Sequence, residues 1–258
     1  MRRLLLAAAL LGTAVLLVGP LAYLAYLSLT TPDGALTLGN YAGAWKKAPI
    51  GRYALNSFLI SGATVLLYLL WCSLFGYALA KFRFAGKGTI RVLLLATFLV
   101  PWEATFVPLF EVCVRLGLYD SLWGVILPAS ANAFGILFME DAFRAVPESL
   151  LEAARVDGWG EFRIWRRVAI PLVRPSLGAL AVIVFVSSWG SFLWPLVVLR
   201  NDAQYTLPVA LSYLQGTFSA NLRYLAAAAI LAALPTVAVF LAMQRQFVAG
   251  ILKGAVKG

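Results

Sequence analysis

The stretch Y-A-L-N-S-F-L-I-S-G-A-T-V-L-L-Y-L-L-W-C-S-L-F-G-Y-A-L-A, Tyr53 to Ala80, runs for 28 residues without a charged side chain. About 20 helical residues cross roughly 30 Å of hydrocarbon, so this run is long enough to span a bilayer. Five further runs of comparable length flank it: Leu4 to Leu29, Ile90 to Leu109, Ser121 to Met139, Gly178 to Leu199 and Tyr224 to Gln244. Together they predict an all-α integral membrane protein with six transmembrane helices, organised as one domain over residues 1–258. The composition agrees. Of 258 residues 62% are apolar, with only 21 basic and 11 acidic side chains, which excludes a soluble enzyme built around one large core. The two cysteines, Cys72 and Cys113, sit in or beside apolar runs, which excludes a disulfide scaffold.

The first run resembles a signal peptide in its Met1-Arg2-Arg3 start. It continues uncharged to Pro32 and no A-x-A site closes it, so a retained span is expected. The net charge of +10 has two readings, nucleic acid or cytoplasmic loops, and its distribution decides between them. With both termini on the inner side, the inner segments hold 15 basic residues. The outer segments hold 6: Lys46, Lys47, Arg52, Arg115, Arg200 and Arg223. This asymmetry places both termini in the cytoplasm and accounts for the charge without a nucleic-acid partner.

Histidine is absent, no cysteine cluster occurs, and there is no G-x-x-x-x-G-K-[ST] phosphate loop. No metal site, cofactor or catalytic residue is therefore expected. The largest gap between spans, Glu140 to Leu177, is 38 residues and too short for a second folded domain, so any energy source must lie on another chain.

That gap nevertheless holds 12 of the charged residues, six of each sign. Within it A-V-P-E-S-L-L-E-A-A-R-V-D-G reads as a short helix, with Pro147 and Glu148 at its start, Leu150, Leu151 and Ala154 on one face, and Gly158 as a left-handed stop. A second helix, W-G-E-F-R-I-W-R-R-V-A-I, follows until Pro171, with Phe162, Trp165 and Ala169 on one stripe. Two readings remain open from the residues: an amphipathic hairpin resting on lipid headgroups, or a docking element in which Glu152 and the small residues Ala153 and Ala154 enter a groove on a partner.

The run E-A-A-R-V-D-G, Glu152 to Gly158, followed by I-P-L-V-R-P, Ile170 to Pro175, resembles the EAA loop of binding-protein-dependent ABC importer permeases. Other stretches are similar to the carbohydrate-importer branch with its maltose-type inner-membrane subunits. They are Asn56-Ser57, G-Y-A-L-A-K-F-R-F at Gly76 to Phe84, V-P-L-F at Val107 to Phe110, and G-L-Y-D-S-L-W-G at Gly117 to Gly124. T-L-P at Thr206 to Pro208 and the ending Q-R-Q-F-V-A-G-I-L-K-G-A-V-K-G at Gln244 to Gly258 complete the set. One departure stands out: the branch usually reads W-N-x-[FY] in its fifth span, whereas here Trp189-Gly190-Ser191-Phe192 lacks the asparagine.

The resemblance implies a type I ABC importer permease fold in the plasma (inner) membrane of a bacterium or archaeon, with the coupling loop at residues 140–177. It implies a sugar or oligosaccharide as cargo, passed inward by ATP-driven alternating access. The implied partners are a second, different permease subunit, two ATP-binding subunits that perform the hydrolysis, and an extracytoplasmic sugar-binding protein, all in membrane lipid. Glu152, Ala153, Ala154, Asp157 and Gly158 would then contact the ATPase. Candidates for the substrate path are Ser188, Trp189 and Ser191 in the fifth span, the intramembrane carboxylate Glu103, Asn132 and, more weakly, Asn56. The remaining tryptophans read as interface anchors. Outer loops with Tyr41, Trp45, Tyr205 and Tyr213 would meet the binding protein. The alternatives are an importer permease for a non-sugar solute and an ion-coupled secondary carrier, the latter disfavoured because the spans lack titratable residues at mid-membrane.

Overall fold

Apolar segments that enter lipid must satisfy their backbone hydrogen bonds internally, and the chain does so as helices. The structure, a computed structural model, describes residues 2–218 and 221–255. Among them no strand forms; Thr30 and Leu36 make one isolated bridge. The helices, in chain order, are α1 (Arg2–Leu29), α2 (Gly39–Lys47), α3 (Ile50–Lys81), α4 (Lys87–Ala96), α5 (Trp102–Arg115), α6 (Leu122–Ala129), α7 (Ala133–Arg144) and α8 (Glu148–Val156). Then follow α9 (Glu161–Ile164), α10 (Ile170–Leu172), α11 (Arg174–Trp189), α12 (Leu193–Val198), α13 (Leu207–Thr217) and α14 (Leu222–Ala255). The last three residues of the terminal run, 256–258, lie outside the described residues, as do 219 and 220.

Helix α3 and the Leu222–Ala242 part of α14 are each long and apolar enough to cross a membrane as rods; Val15–Leu29 is a shorter apolar helix. The expected third span is not one rod. Lys87–Leu99 and Trp102–Arg115 meet at 106°. Pro101 has no amide hydrogen to continue the ladder and holds Val100 extended, with ψ of 114°. The expected fourth span is bent as well, by 46° between α6 and α7. Here the Asn132 side chain accepts from Gly135 N at 3.0 Å and starts a new helix in mid-span. The expected fifth span begins earlier, at Arg174, and breaks after Trp189 before α12 resumes at Leu193. Two helices in segments expected to be loops, α2 and α13, cap the end of the bundle opposite α8.

Helix α3 is the central post, packed against α7, α11 and α6, while α14 joins α11 to α1. The approach of α3 to α7 depends on glycine. A Cβ on Gly76 would lie 2.7 Å from Met139 Cβ and 2.8 Å from Glu140 N, and one on Gly135 would strike the Tyr68 ring. Both cysteines are buried and free, as expected for apolar packing residues. Glu140, fully buried in α7, is held by Arg91 of α4 through Nε at 2.8 Å and by Arg144 at 2.8 Å. This ties an otherwise loosely attached α4 to the bundle.

The helices of the 140–177 loop form where expected, with two differences. Leu151 and Ala154 turn inward as predicted, but Leu150 is exposed, as is Phe162 of the second helix. The second helix also runs past Pro171 to Leu172 before turning by 82° into α11. A π turn over Trp165–Ala169 precedes that proline and widens the ladder where its ring must fit.

Candidate functional site

Two regions gather the sequence-derived candidates. The first is a cavity of about 490 Å³ between α3, α6, α7, α11 and α12. Thr64 and Tyr68 border it from α3, and Thr64 lies 14 residues into that helix, about 21 Å from its start at 1.5 Å per residue, so the cavity is near mid-span. Asn132, Ser188 and Ser191 all border it, joined by Ser187, Trp102, Phe134 and Trp194. The helix break supplies this access: Gly190 and Ser191 end α11, so Ser191 faces the space instead of lying in a helical row.

Polar atoms around the cavity are partly committed. The Tyr68 hydroxyl donates to Asn132 Oδ1, which also accepts from Gly135 N at 3.0 Å. The Asn132 amide hydrogens therefore remain for another acceptor. The Thr64 hydroxyl is buried and has no partner.

Two candidates fall elsewhere. Trp189 is buried on the far side of α11, where its indole donates to Ala232 O of α14 at 2.9 Å and its ring stacks on Phe185. On a helix it lies about 100° from Ser188, so the two cannot share a face. Glu103 does not border the cavity either. It is exposed in the first turn of α5, where the helix dipole favours a carboxylate. Asn56 is a pin: its amide donates to Ala203 O at 2.9 Å and Tyr205 O at 3.0 Å, while Ser57 Oγ accepts from Leu207 N at 2.8 Å. The positions of two tryptophans relative to the cavity thus differ from expectation. Trp194, read as an anchor, borders the cavity, is buried, and donates to Gly124 O at 3.0 Å. The Trp102 ring meets it edge-on at 6.0 Å. Thr64 and Tyr68 were legible as an i, i+4 pair on one face of the second span, but nothing in the sequence said which face turned inward.

The second region is α8. It ends in a Schellman arrangement, with Trp159 N bonded to Ala154 O and Gly158 N to Arg155 O, both at 3.0 Å, and Gly158 at φ +77°. Outward it presents Glu152, Ala153, Val156 and Asp157, with Val156 88% exposed. Ala154 of the same motif turns inward against the bundle. Arg155 clamps the hairpin, donating to Glu148 at 2.9 Å and to Glu161 at 2.7 Å. The Arg155 hydrogen bond holds the Glu148 carboxyl below its ordinary range, and Lys81 at 3.2 Å adds to it. These contacts bolt α8 and α9 to the end of α3.

At the opposite end Asp120, at φ +53°, accepts from Asn201 N at 2.9 Å and Arg200 N at 2.8 Å, which lowers its carboxyl pKa. Tyr205 and Tyr213 stack at 4.9 Å, and burial, followed by the neighbouring Tyr213 phenol, pushes the Tyr205 phenol up to about 12. Trp45 is exposed, whereas the Tyr41 hydroxyl is bonded to Ser28 Oγ.

The family described as "Binding-protein-dependent transport system inner membrane component" matches residues 73–253. The chain is 36% identical over 233 residues to the arabinooligosaccharides transport system permease protein AraQ of Bacillus subtilis (strain 168), covering 90% of this chain and 83% of that one. It is 36% identical over 224 residues to the lactose transport system permease protein LacG of Rhizobium radiobacter, covering 87% and 82%. In fold it is similar to a chain of a bacterial ABC transporter involved in the import of the acidic polysaccharide alginate, with TM-score 0.82, 24% identity and coverage of 94% and 95%.

Proposed function

We propose, from the premise that this chain belongs to the family of binding-protein-dependent transport system inner membrane components, that it is the membrane subunit of a carbohydrate ABC importer and that its two regions divide the work of transport. Relatives named for arabinooligosaccharide and lactose transport, alike over most of both chains, support the carbohydrate cargo.

In this reading six segments cross the membrane, three of them bent, and α8 lies on the cytoplasmic side with both termini. The outward face Glu152, Ala153, Val156 and Asp157 enters a groove on a separate ATP-hydrolysing subunit. Gly158 supplies the turn behind it, and Ala154 anchors the helix to the bundle. The observation that carries this is the pairing of a bare outer face with a bolted inner one: α8 is exposed to a partner and rigidly joined to α3. A push on α8 is thereby delivered to the post that borders the cavity.

Ser188, Ser191 and Asn132 then belong to the sugar path, with Thr64 and Tyr68 opposite them. A second permease subunit completes the path, two ATP-binding subunits drive it, and an external binding protein loads it at the end where Trp45 and the Tyr205–Tyr213 pair are presented. The test is Glu152→Lys in the purified complex reconstituted into liposomes. The expected result is retained assembly and basal ATP hydrolysis with sugar uptake lost; full uptake would refute the coupling role.

A further inference from the structure

We propose that the segment Glu161–Leu172 is a surface helix on which Arg163, Arg166 and Arg167 hold anionic phospholipid headgroups of the cytoplasmic leaflet; this rests on the reading that the α8–α9 hairpin lies on the cytoplasmic side. Two contacts fix its depth. At its start the Glu161 carboxylate accepts the Tyr77 hydroxyl at 3.0 Å, and Tyr77 lies one turn from the end of α3 at Lys81. At its other end the segment turns by 82° into α11, which opens at Arg174. Both ends therefore meet spanning helices where those helices leave the membrane, and the segment itself runs across the direction of α11. A helix so placed lies along the headgroup layer instead of crossing it.

One side of the segment is committed to the bundle, since Ile164, Trp165 and Ala169 are buried in its core. The other side presents Arg163, Arg166 and Arg167, three and four positions apart, together with Phe162, which is 64% exposed. The Arg163 guanidinium rests over the Trp159 ring at 4.2 Å, and among the described residues no carboxylate pairs with it, with Arg166 or with Arg167. Glu161, the acid of the same helix, is already taken by Arg155 and Tyr77. An exposed phenyl beside unpaired guanidinium groups is poorly matched to water alone. It suits the boundary layer, where the ring reaches acyl chains and each planar fork binds a phosphate through two hydrogen bonds. The ATPase is a different kind of partner. The outward face of α8 carries Glu152 and Asp157, so a groove complementary to that face is basic and would repel the arginines beside it. The two faces of the hairpin thus fit two surfaces of opposite charge, and the anionic one is the leaflet.

The test uses the whole complex in nanodiscs of phosphatidylcholine alone or mixed with phosphatidylglycerol, with hydrogen exchange read over residues 161–172. Each basic residue near an anionic leaflet strengthens the attraction by about fivefold, so exchange is expected to slow by about fivefold or more when phosphatidylglycerol is present. Salt at about 1 M, where charges are screened beyond about 3 Å, should erase that difference without any substitution. The triple variant Arg163→Gln, Arg166→Gln, Arg167→Gln should exchange at the phosphatidylcholine rate in both lipids, whereas the corresponding triple lysine variant, which keeps the charge, should retain the lipid dependence. Equal exchange of the wild-type segment in the two lipids, or a difference that survives high salt, would overturn the proposal. Protection that ignores lipid but is lost in the glutamine variant would overturn it in favour of an acidic surface on the ATP-hydrolysing subunit. The underlying reading is tested separately by Arg166→Cys with a membrane-impermeant maleimide in right-side-out and inside-out vesicles, the two native cysteines being buried. Labelling from the external side refutes the cytoplasmic placement of the hairpin. Labelling from the cytoplasmic side alone, with exchange indifferent to lipid, refutes only the headgroup site.

Discussion

Tyr77, one turn from the end of α3, donates its hydroxyl to Glu161 Oε2 at 3.0 Å. The other oxygen of that carboxylate accepts Arg155 Nε–H at 2.7 Å, so α3, α9 and α8 form one continuous chain of hydrogen bonds. Removing the centre of this chain is more informative than removing either end. Hydrogen bonds to a charged group contribute about 1.5–3 kcal/mol, so Glu161→Ala loosens α8 from the bundle by about tenfold in population or more. The hairpin remains folded on Leu151, Ile164 and Trp165. The expected outcome is basal ATP hydrolysis near wild type with sugar transported per ATP reduced about threefold or more, read from paired uptake and phosphate-release assays.

The same clamp gives the loop a pH dependence. Glu148 is held below its ordinary value, first by the Arg155 hydrogen bond and then by Lys81, with burial opposing. A depressed carboxylate contributes stability above its unfolded pKa and loses it as pH falls through the folded one. Protection of α8 against hydrogen exchange should therefore hold from neutral pH down to about 5 and decline below the ordinary glutamate value of about 4.3. In Glu148→Gln this decline should be reduced, and an identical profile in the variant would show that Glu148 is not the group behind it.

Gly158→Val tests the turn independently of the charged network. At φ +77° a β-branched residue is strained by about 1–3 kcal/mol, and open space around the Cβ position means that backbone, not packing, is responsible. Gly158→Asn, which tolerates the left-handed region, should be near wild type. Both variants should insert and assemble. Only the valine variant should lose coupling, measured as sugar uptake per ATP.

Much of this was legible in the sequence for a physical reason: long uncharged runs have one stable solution in lipid, and a proline or glycine at a fixed place marks a break or a turn. The bends were partly legible, since Pro101 and Gly190 were visible, but the runs were read by length and length alone does not see a kink. What the resemblance motifs do was hidden. Asn56, Ser57, Asp120 and Gly76 proved to be pins and close approaches between segments distant in sequence, as Asn56 to Ala203 shows. Trp194 borders the cavity and Trp189 does not, because depth in a span fixes how far along the membrane a side chain sits, while helix rotation decides what it faces. Rotation is set by neighbours, here α14 against Trp189 and α6 against Trp194.

Asp120→Asn should release the outer clasp without touching the cavity. Its Oδ1 accepts two backbone amides, from Arg200 and Asn201, and these bonds, Asn201 first, lower the carboxyl pKa. The asparagine oxygen can still accept, so the loss is in charge assistance, and the variant should expose the 199–206 loop to protease while leaving sugar binding by nanodisc-embedded complex unchanged. Protection equal to wild type would show that the Arg200–Tyr119 bond suffices.

The two glycines between α3 and α7 separate packing from sugar handling. An alanine at Gly76 meets the backbone of Met139 and Glu140, which cannot yield without moving α7, so Gly76→Ala should lower stability by about 1–3 kcal/mol through overpacking. An alanine at Gly135 meets instead the Tyr68 ring and Cys72 Sγ, side chains able to shift. The cheapest relief is to swing Tyr68 toward the cavity, which breaks its bond to Asn132 and narrows the space beside Thr64. Gly135→Ala should therefore lose more sugar binding than its thermal shift explains, whereas Gly76→Ala should lose stability with saccharide affinity retained in the folded fraction. Thermal unfolding and equilibrium sugar binding on the same nanodisc preparations give both quantities. A proportional loss of both in both variants would mean that the helix pair, rather than Tyr68, sets the shape of the cavity.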